Sequence, residues 1–224
     1  MPGLLPNVDP DGLLEFSVVY TDRSLNHMSE EFKRVMVDIS SVLKDAYNAS
    51  SAVIVPGSGT FGMEAVARQF ANNQKCLVLR NGWFSYRWTQ IFDLEQFTKD
   101  IHVIKGRQVE NSPQGAYAPP PIEEVVAFIK KEKPDVVFAP HVETSAGIIL
   151  PPEYLKAIGE AVESVDGLFV LDCIASGAMW VNMKASKVDV LISAPQKGWS
   201  SSPCCALIGL SERARQKIEQ TQSN

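Results

Sequence analysis

The sequence predicts an α/β layer fold with a mostly parallel sheet. Two observations point there. Short apolar, β-branched runs alternate with longer amphipathic stretches along most of the chain. The residues that break this pattern, Gly, Pro, Asp and Lys, gather directly after the apolar runs. Strands separated by helices form parallel sheets covered on their faces, and such sheets bind ligands outside the carboxyl ends of their strands.

The elements follow in order. Residues 1–25 are rich in Pro, Gly and Asp and read as an irregular N-terminal arm. In "SLNHMSEEFKRVMVDISSVLKDAYN" the apolar residues Met28, Phe32, Val35, Met36, Ile39, Val42 and Leu43 recur at helical spacing, with Ser29, Glu30 and Glu31 as a start signal. "SAVIV" is a strand, "PGSGT" a glycine-rich turn and "FGMEAVARQFA" a helix. "KCLVLR" and "DIHVIK" are strands on either side of "NGWFSYRWTQIFDL", a turn and a helix. The Pro-rich "NSPQGAYAPPP" reads as a loop. Helix "IEEVVAFIKKEK", strand "DVVFAP", loop "HVETSAGIILPP", helix "EYLKAIGEAVESV" and strand "GLFVLD" come next. A turn of small residues leads to strand "VDVLISA", a turn carrying Lys197, strand "CCALIGL" and a polar helix from residue 211. No internal repeat or low-complexity segment interrupts the series.

Composition narrows the function classes. The chain has 224 residues, a net charge of −5, 45% hydrophobic and 21% charged residues. It shows no basic stripe of the kind that neutralises nucleic-acid phosphates, so no nucleic-acid partner is expected. No apolar stretch approaches the roughly 20 residues needed to span a bilayer, and the N-terminus lacks the basic region of a signal peptide. Three of the four cysteines (Cys76, Cys173, Cys204, Cys205) sit in apolar strand-like runs without a CxxC pair. They read as reduced thiols of a cytoplasmic protein.

Three features at strand ends carry chemistry. "GSGTFGMEA" runs a glycine-rich turn into a helix N-terminus, where free N–H groups, the helix dipole and the hydroxyls of Ser58 and Thr60 could cradle a phosphate; a simple capped turn has the same look. Asp172 closes an apolar strand and is either a turn cap or a fixed anion. His27, His102 and His141 show no metal-ligand spacing with it, and no metal is expected. Lys197 is either a surface lysine whose stem covers a strand end or a partly desolvated amine, whose neutral form is nucleophilic. A phosphate cradle, a carboxylate and a nucleophilic lysine on one rim are the parts a pyridoxal phosphate (PLP) site needs. Trp83 and Phe84 offer aromatic rings at a neighbouring strand end, where they either stack on a ligand or pack in the core.

In order along the chain, "GSGTFGMEA", "NGWFSYRW", "PHVETSAGI", "VLDCIAS" and "SAPQKGW" resemble the motifs of class V aminotransferases of PLP fold type I, the group of alanine–glyoxylate and serine–glyoxylate (serine–pyruvate) aminotransferases. The resemblance runs from about Pro2 to Ser211. It implies a three-layer αβα large domain over residues 26–210. It also implies a PLP cofactor with Lys197 as the Schiff-base lysine and Asp172 paired with the pyridine nitrogen. By the same resemblance Phe84 stacks on one ring face and Ile174 packs on the other. Ser58, Gly59, Thr60 and Gln196 hold the phosphate, and Ser145 or Thr144 reaches the ring hydroxyl. Cysteine desulfurases of the class carry histidines where this chain has Gln196 and Phe84, so the aminotransferase branch is the nearer one.

The activity implied is transfer of an amino group between a small amino acid, alanine or serine, and a small keto acid, glyoxylate or pyruvate, in a homodimer. A PLP-dependent lyase of the same fold, or a truncated and inactive cofactor-binding module, are the alternatives. Family members continue into a smaller C-terminal domain bearing the arginine that clamps the substrate carboxylate. Residues 211–224 read as the start of a helix leading to such a domain, which this chain lacks.

Overall fold

The computed structural model describes His27 and residues 30–221. The expected N-terminal arm, 1–25, and the helix-start residue Ser29 lie outside the described residues. Chain order gives α1 (Glu30–Tyr47), β1 (Ser51–Pro56), α2 (Gly59–Phe70), β2 (Cys76–Arg80), α3 (Tyr86–Glu95), β3 (Ile101–Lys105), β4 (Arg107–Gln108) and β5 (Tyr117–Ala118). Then come α4 (Ile122–Glu132), β6 (Val136–Pro140), β7 (Val142–Glu143), β8 (Ile148–Ile149), α5 (Pro152–Glu163) and β9 (Leu168–Asp172). A short 3₁₀ turn (Ile174–Ser176), α6 (Met183–Ser186), β10 (Val190–Ser193), β11 (Cys205–Leu210) and α7 (Glu212–Gln220) complete the described chain.

Seven strands form one sheet in the order β1-β11-β10-β9-β6-β2-β3. Every pair among β10, β9, β6, β2 and β3 is parallel. β11 runs antiparallel to both β1 and β10, so it is the one reversed strand of this sheet. The carboxyl ends of the other six therefore share a rim, and the turn joining β10 to β11 lies on it. The sequence expected the mostly parallel sheet. It missed two small hairpins, β4 with β5 and β7 with β8, inside segments that read as loops. Two-residue strands are too short to carry a periodic signal.

The strands divide their side chains between two cores, as the period of two requires. In β9, Phe169 and Leu171 join Leu43, Ile129, Leu155 and Ile158 from α1, α4 and α5. Leu168 and Val170 join Met63, Val66, Trp88 and Phe92 from α2 and α3, with Ala214 of α7. The same alternation in β2, β6 and β10 puts helices on both faces, giving the three-layer αβα arrangement. Trp88 and Phe138 fill the second core with ring centroids 4.5 Å apart. Three thiols, Cys76, Cys173 and Cys205, are buried and Cys204 is exposed; all four are free. No helix among the described residues is long and apolar enough to cross a membrane.

Candidate active site

The alternation that sorts β9 into two cores also places its last residue. Asp172 falls two positions after Val170, on the α2 side of the sheet, with Pro140 and Ile192 as its lateral neighbours. It is 8% exposed. Ile174 N donates to its Oδ1 at 2.9 Å, the one hydrogen bond this carboxyl receives among the described residues. Burial pushes its pKa up to about 6; the Ile174 N–H opposes that rise and the Glu143 charge adds to it. Such a carboxyl ionises less readily than an ordinary aspartate, and a cation placed against it would favour its charged form.

The glycine-rich turn after β1 delivers α2 to the same place. Ser58 adopts the extended backbone of a helix cap (φ −154°, ψ 174°), and its side chain accepts from Phe61 N. Gly59 lets α2 start close against Ile174: a Cβ there would stand 2.6 Å from Ile174 Cδ1 and force that side chain to move. The N–H groups of Gly59 and Thr60 have no acceptor among the described residues. They present the positive end of the α2 dipole.

Lys197 sits in the long β10–β11 turn. Lys197 N donates to Ala194 O at 3.3 Å, and Ser200 N donates back to Lys197 O at 3.3 Å. Trp199 pins the turn by donating from Nε1 to Ser193 Oγ at 3.2 Å and packing its ring edgewise on Tyr47. Next to the lysine, Gly198 lies so close to the Gly177 carbonyl that a Cβ could not be added without moving backbone. The side chain of Lys197 is exposed and makes no hydrogen bond or ion pair with the described residues. The partial desolvation expected of a tight turn is thus not present, because the turn is long and opens at the cavity mouth.

Ser58, Gly59, Thr60, Phe84, Thr144, Asp172, Ile174, Gln196 and Lys197 line a single cavity of about 210 Å³. Residues separated by more than a hundred positions in sequence are brought together by the shared rim. Phe84 is half exposed on the cavity wall and Trp83 is more exposed still, its ring 6.0 Å from that of Tyr86. Neither joins the core. Of the two hydroxyls weighed for one role, Thr144 lines the cavity. Ser145 is turned away: its Oγ accepts from Trp83 N at 2.8 Å and donates to Glu143 Oε1 at 2.6 Å.

Met63, Arg87, Val142 and Ala175 complete the lining and were not anticipated from sequence. Nor was Glu143. It is fully buried and accepts from Phe84 N (3.1 Å), Ser85 N (2.8 Å), Ser85 Oγ (2.6 Å) and Ser145 Oγ (2.6 Å). Burial pushes its pKa up, but these donors outweigh that and hold it below the usual carboxylate range. Glu143 thereby fixes the turn that carries Phe84. The signal for Arg87 was a cation in the first turn of α3, where the helix dipole favours acids.

No family model matches the chain. Curated relatives do. The chain is 32% identical over 198 residues to the (S)-ureidoglycine–glyoxylate transaminase of Bacillus subtilis, across 84% of this chain and 44% of that protein. It is 30% identical over 199 residues to the alanine–glyoxylate aminotransferase of Oryctolagus cuniculus, across 87% of this chain and 47% of that one. The crystal structure of the ureidoglycine–glyoxylate aminotransferase from Bacillus subtilis matches the fold with a TM-score of 0.72 at 27% identity, over 85% of this chain and 47% of that chain. The chain spans about half the length of the curated relatives it matches.

Proposed function

We propose that this chain, a homologue of the glyoxylate-using aminotransferases with the class V, PLP fold type I architecture, is the cofactor-binding large domain of an aminotransferase. It would pass an amino group from a small amino acid of the alanine or serine type to glyoxylate or pyruvate. The observation that carries the proposal is the meeting of Lys197, Asp172 and the Ser58–Thr60 turn around one cavity. The two relatives named above are both glyoxylate aminotransferases, which supports the acceptor class.

The residues present fit PLP. A buried carboxyl with a single hydrogen bond suits a cationic ring nitrogen, an amine without a partner suits an aldehyde, and two free N–H groups at a helix start suit a phosphate. Bound there, PLP supplies an aldehyde that condenses with amines and a ring that draws electrons from the bond to be broken. The chain supplies the rest. Lys197 Nζ, exposed at the cavity and without a partner among the described residues, would be the amine that holds the aldehyde. Lys197 Nζ would also be the chain's base and acid for moving the proton of the substrate α-carbon. Asp172 keeps the ring nitrogen protonated. Phe84 and Ile174, both on the cavity lining, would supply apolar surfaces against the ring and exclude water from it. Ser58, Gly59, Thr60 and Gln196 would hold the phosphate, and Thr144, which lines the same cavity, would meet a ring substituent.

A homodimer belongs to the same proposal, supported by the exposed Phe61 and Trp83 near the cavity. So does a reducing, cytoplasmic setting, supported by four free thiols. The domain division, an arm over 1–25, a large domain over 26–210 and a helix leading onward from 211, is likewise proposed. The test is a half-reaction. L-alanine or L-serine added to the PLP-loaded protein should convert its absorbance to that of pyridoxamine phosphate, and glyoxylate should reverse it. A loaded protein whose spectrum ignores both amino acids would overturn the assignment.

A further inference from the structure

Arg87 stands out among the arginines. Arg68, Arg107, Arg213 and Arg215 each pair with a carboxylate, and the guanidinium of Arg80 lies 4.9 Å over the Tyr86 ring. Arg87, half-buried on the cavity wall, has no carboxylate within ion-pair distance among the described residues. Its Nε donates to Gln90 Oε1 at 3.2 Å and its Nη1 donates to Thr60 Oγ1 at 3.1 Å. Its remaining guanidinium donors have no acceptor among the described residues.

The bond to Thr60 has a directional consequence. A guanidinium only donates, so Thr60 Oγ1 uses a lone pair on Arg87 and keeps its own O–H proton for another acceptor. No acceptor for that proton exists among the described residues. Thr60 lines the cavity beside the unbonded N–H groups of Gly59 and of Thr60 itself. One wall of the cavity thus collects a positive charge without a counter-ion, an oriented hydroxyl, two backbone donors and a helix N-terminus. Its complement is an oxyanion with several acceptor oxygens and more than one negative charge.

Resting on the PLP reading above, we infer that Arg87 selects the phosphate-bearing form of the cofactor, by fixing the Thr60 hydroxyl as a donor and by leaving its own charge uncompensated on that wall. Arg87 bridges the first turns of α2 and α3, so it also ties the phosphate turn to the segment that presents Phe84.

The experiment compares PLP with pyridoxal, its phosphate-free analogue, by equilibrium titration of the wild-type protein, Arg87→Met and Arg87→Gln. Both variants remove the charge, and the glutamine keeps a polar side chain should the methionine variant fail to fold. The expected result is a loss of PLP affinity of roughly tenfold or more with pyridoxal affinity unchanged, the size of a lost charge-assisted hydrogen bond. A ratio of PLP to pyridoxal affinity equal to that of the wild type, whether both affinities hold or fall together, would overturn the inference. Inorganic phosphate, titrated alone, separates this from the aminotransferase proposal. If the wild type takes no PLP, the proposal on activity fails. Weaker phosphate binding by Arg87→Gln would still support the role of Arg87, and equal binding would end it.

Discussion

Asp172 and Ile174 are joined by a hydrogen bond within one turn: Ile174 N donates to Asp172 Oδ1 at 2.9 Å. Gly59 then packs on the Ile174 side chain, so the carboxyl, Ile174 and the glycine-rich turn before α2 form a single packed unit. The arrangement keeps a carboxyl buried with too few donors to favour its charge.

A stability signature follows from that. The folded pKa of Asp172, about 6, lies above the ordinary aspartate value of 3.8. The folded chain therefore binds the proton more tightly, and stability contributed by this group is full below the unfolded value and lost as pH rises through about 6. In PLP-free protein, urea unfolding of wild type and Asp172→Asn should diverge between pH 4 and pH 7. The wild type should lose at most about 3 kcal/mol relative to the variant across that interval. A difference independent of pH would show that Asp172 is not so perturbed.

Glu143 has the opposite sign. Its folded pKa is depressed, so its contribution is present above the unfolded value and lost as pH falls through the folded one. Glu143→Gln keeps one acceptor oxygen but puts an NH2 donor where the other stood, against the donors that oxygen accepted from, and should cost about 3 kcal/mol near neutral pH. The gap to wild type should narrow in acid. Equilibrium unfolding at pH 7 and pH 4 measures both, and a variant as stable as wild type at pH 7 would contradict the clamp on the Phe84 turn.

Thr144 and Ser145 should separate cleanly. Ser145→Ala strips a partner from Trp83 N and from Glu143, and is expected to lower stability by about 1–2 kcal/mol. Thr144 is exposed on the cavity wall, so Thr144→Val should leave stability within about 0.5 kcal/mol while weakening PLP binding. Unfolding and PLP titration of the two variants give the comparison, and the reverse pattern would exchange their roles.

Much of this was legible in the sequence because it depends on local order. Apolar runs between helices gave the strands, and special residues after each run gave the rim. The sheet order and the reversal of β11 were not legible, since pairing depends on which strands meet across the chain. Glu143 escaped notice because its partner Ser85 lies 58 positions away. Arg87 did so because its counterpart Thr60 sits 27 positions earlier, on another helix. Thr144 and Ser145 read alike in sequence, and the β7–β8 hairpin alone decides which hydroxyl meets the cavity. The exposure of Lys197 depends on how the β10–β11 turn opens, which no motif encodes.

The central claim is that Lys197 is the residue that takes the cofactor. Incubation with PLP, reduction with borohydride and mass mapping of the peptides test it most directly. The predicted result is a stoichiometric pyridoxyl label on Lys197 that is lost in Lys197→Ala. Labelling that persists at the wild-type level in Lys197→Ala, or that maps to another lysine, would contradict it.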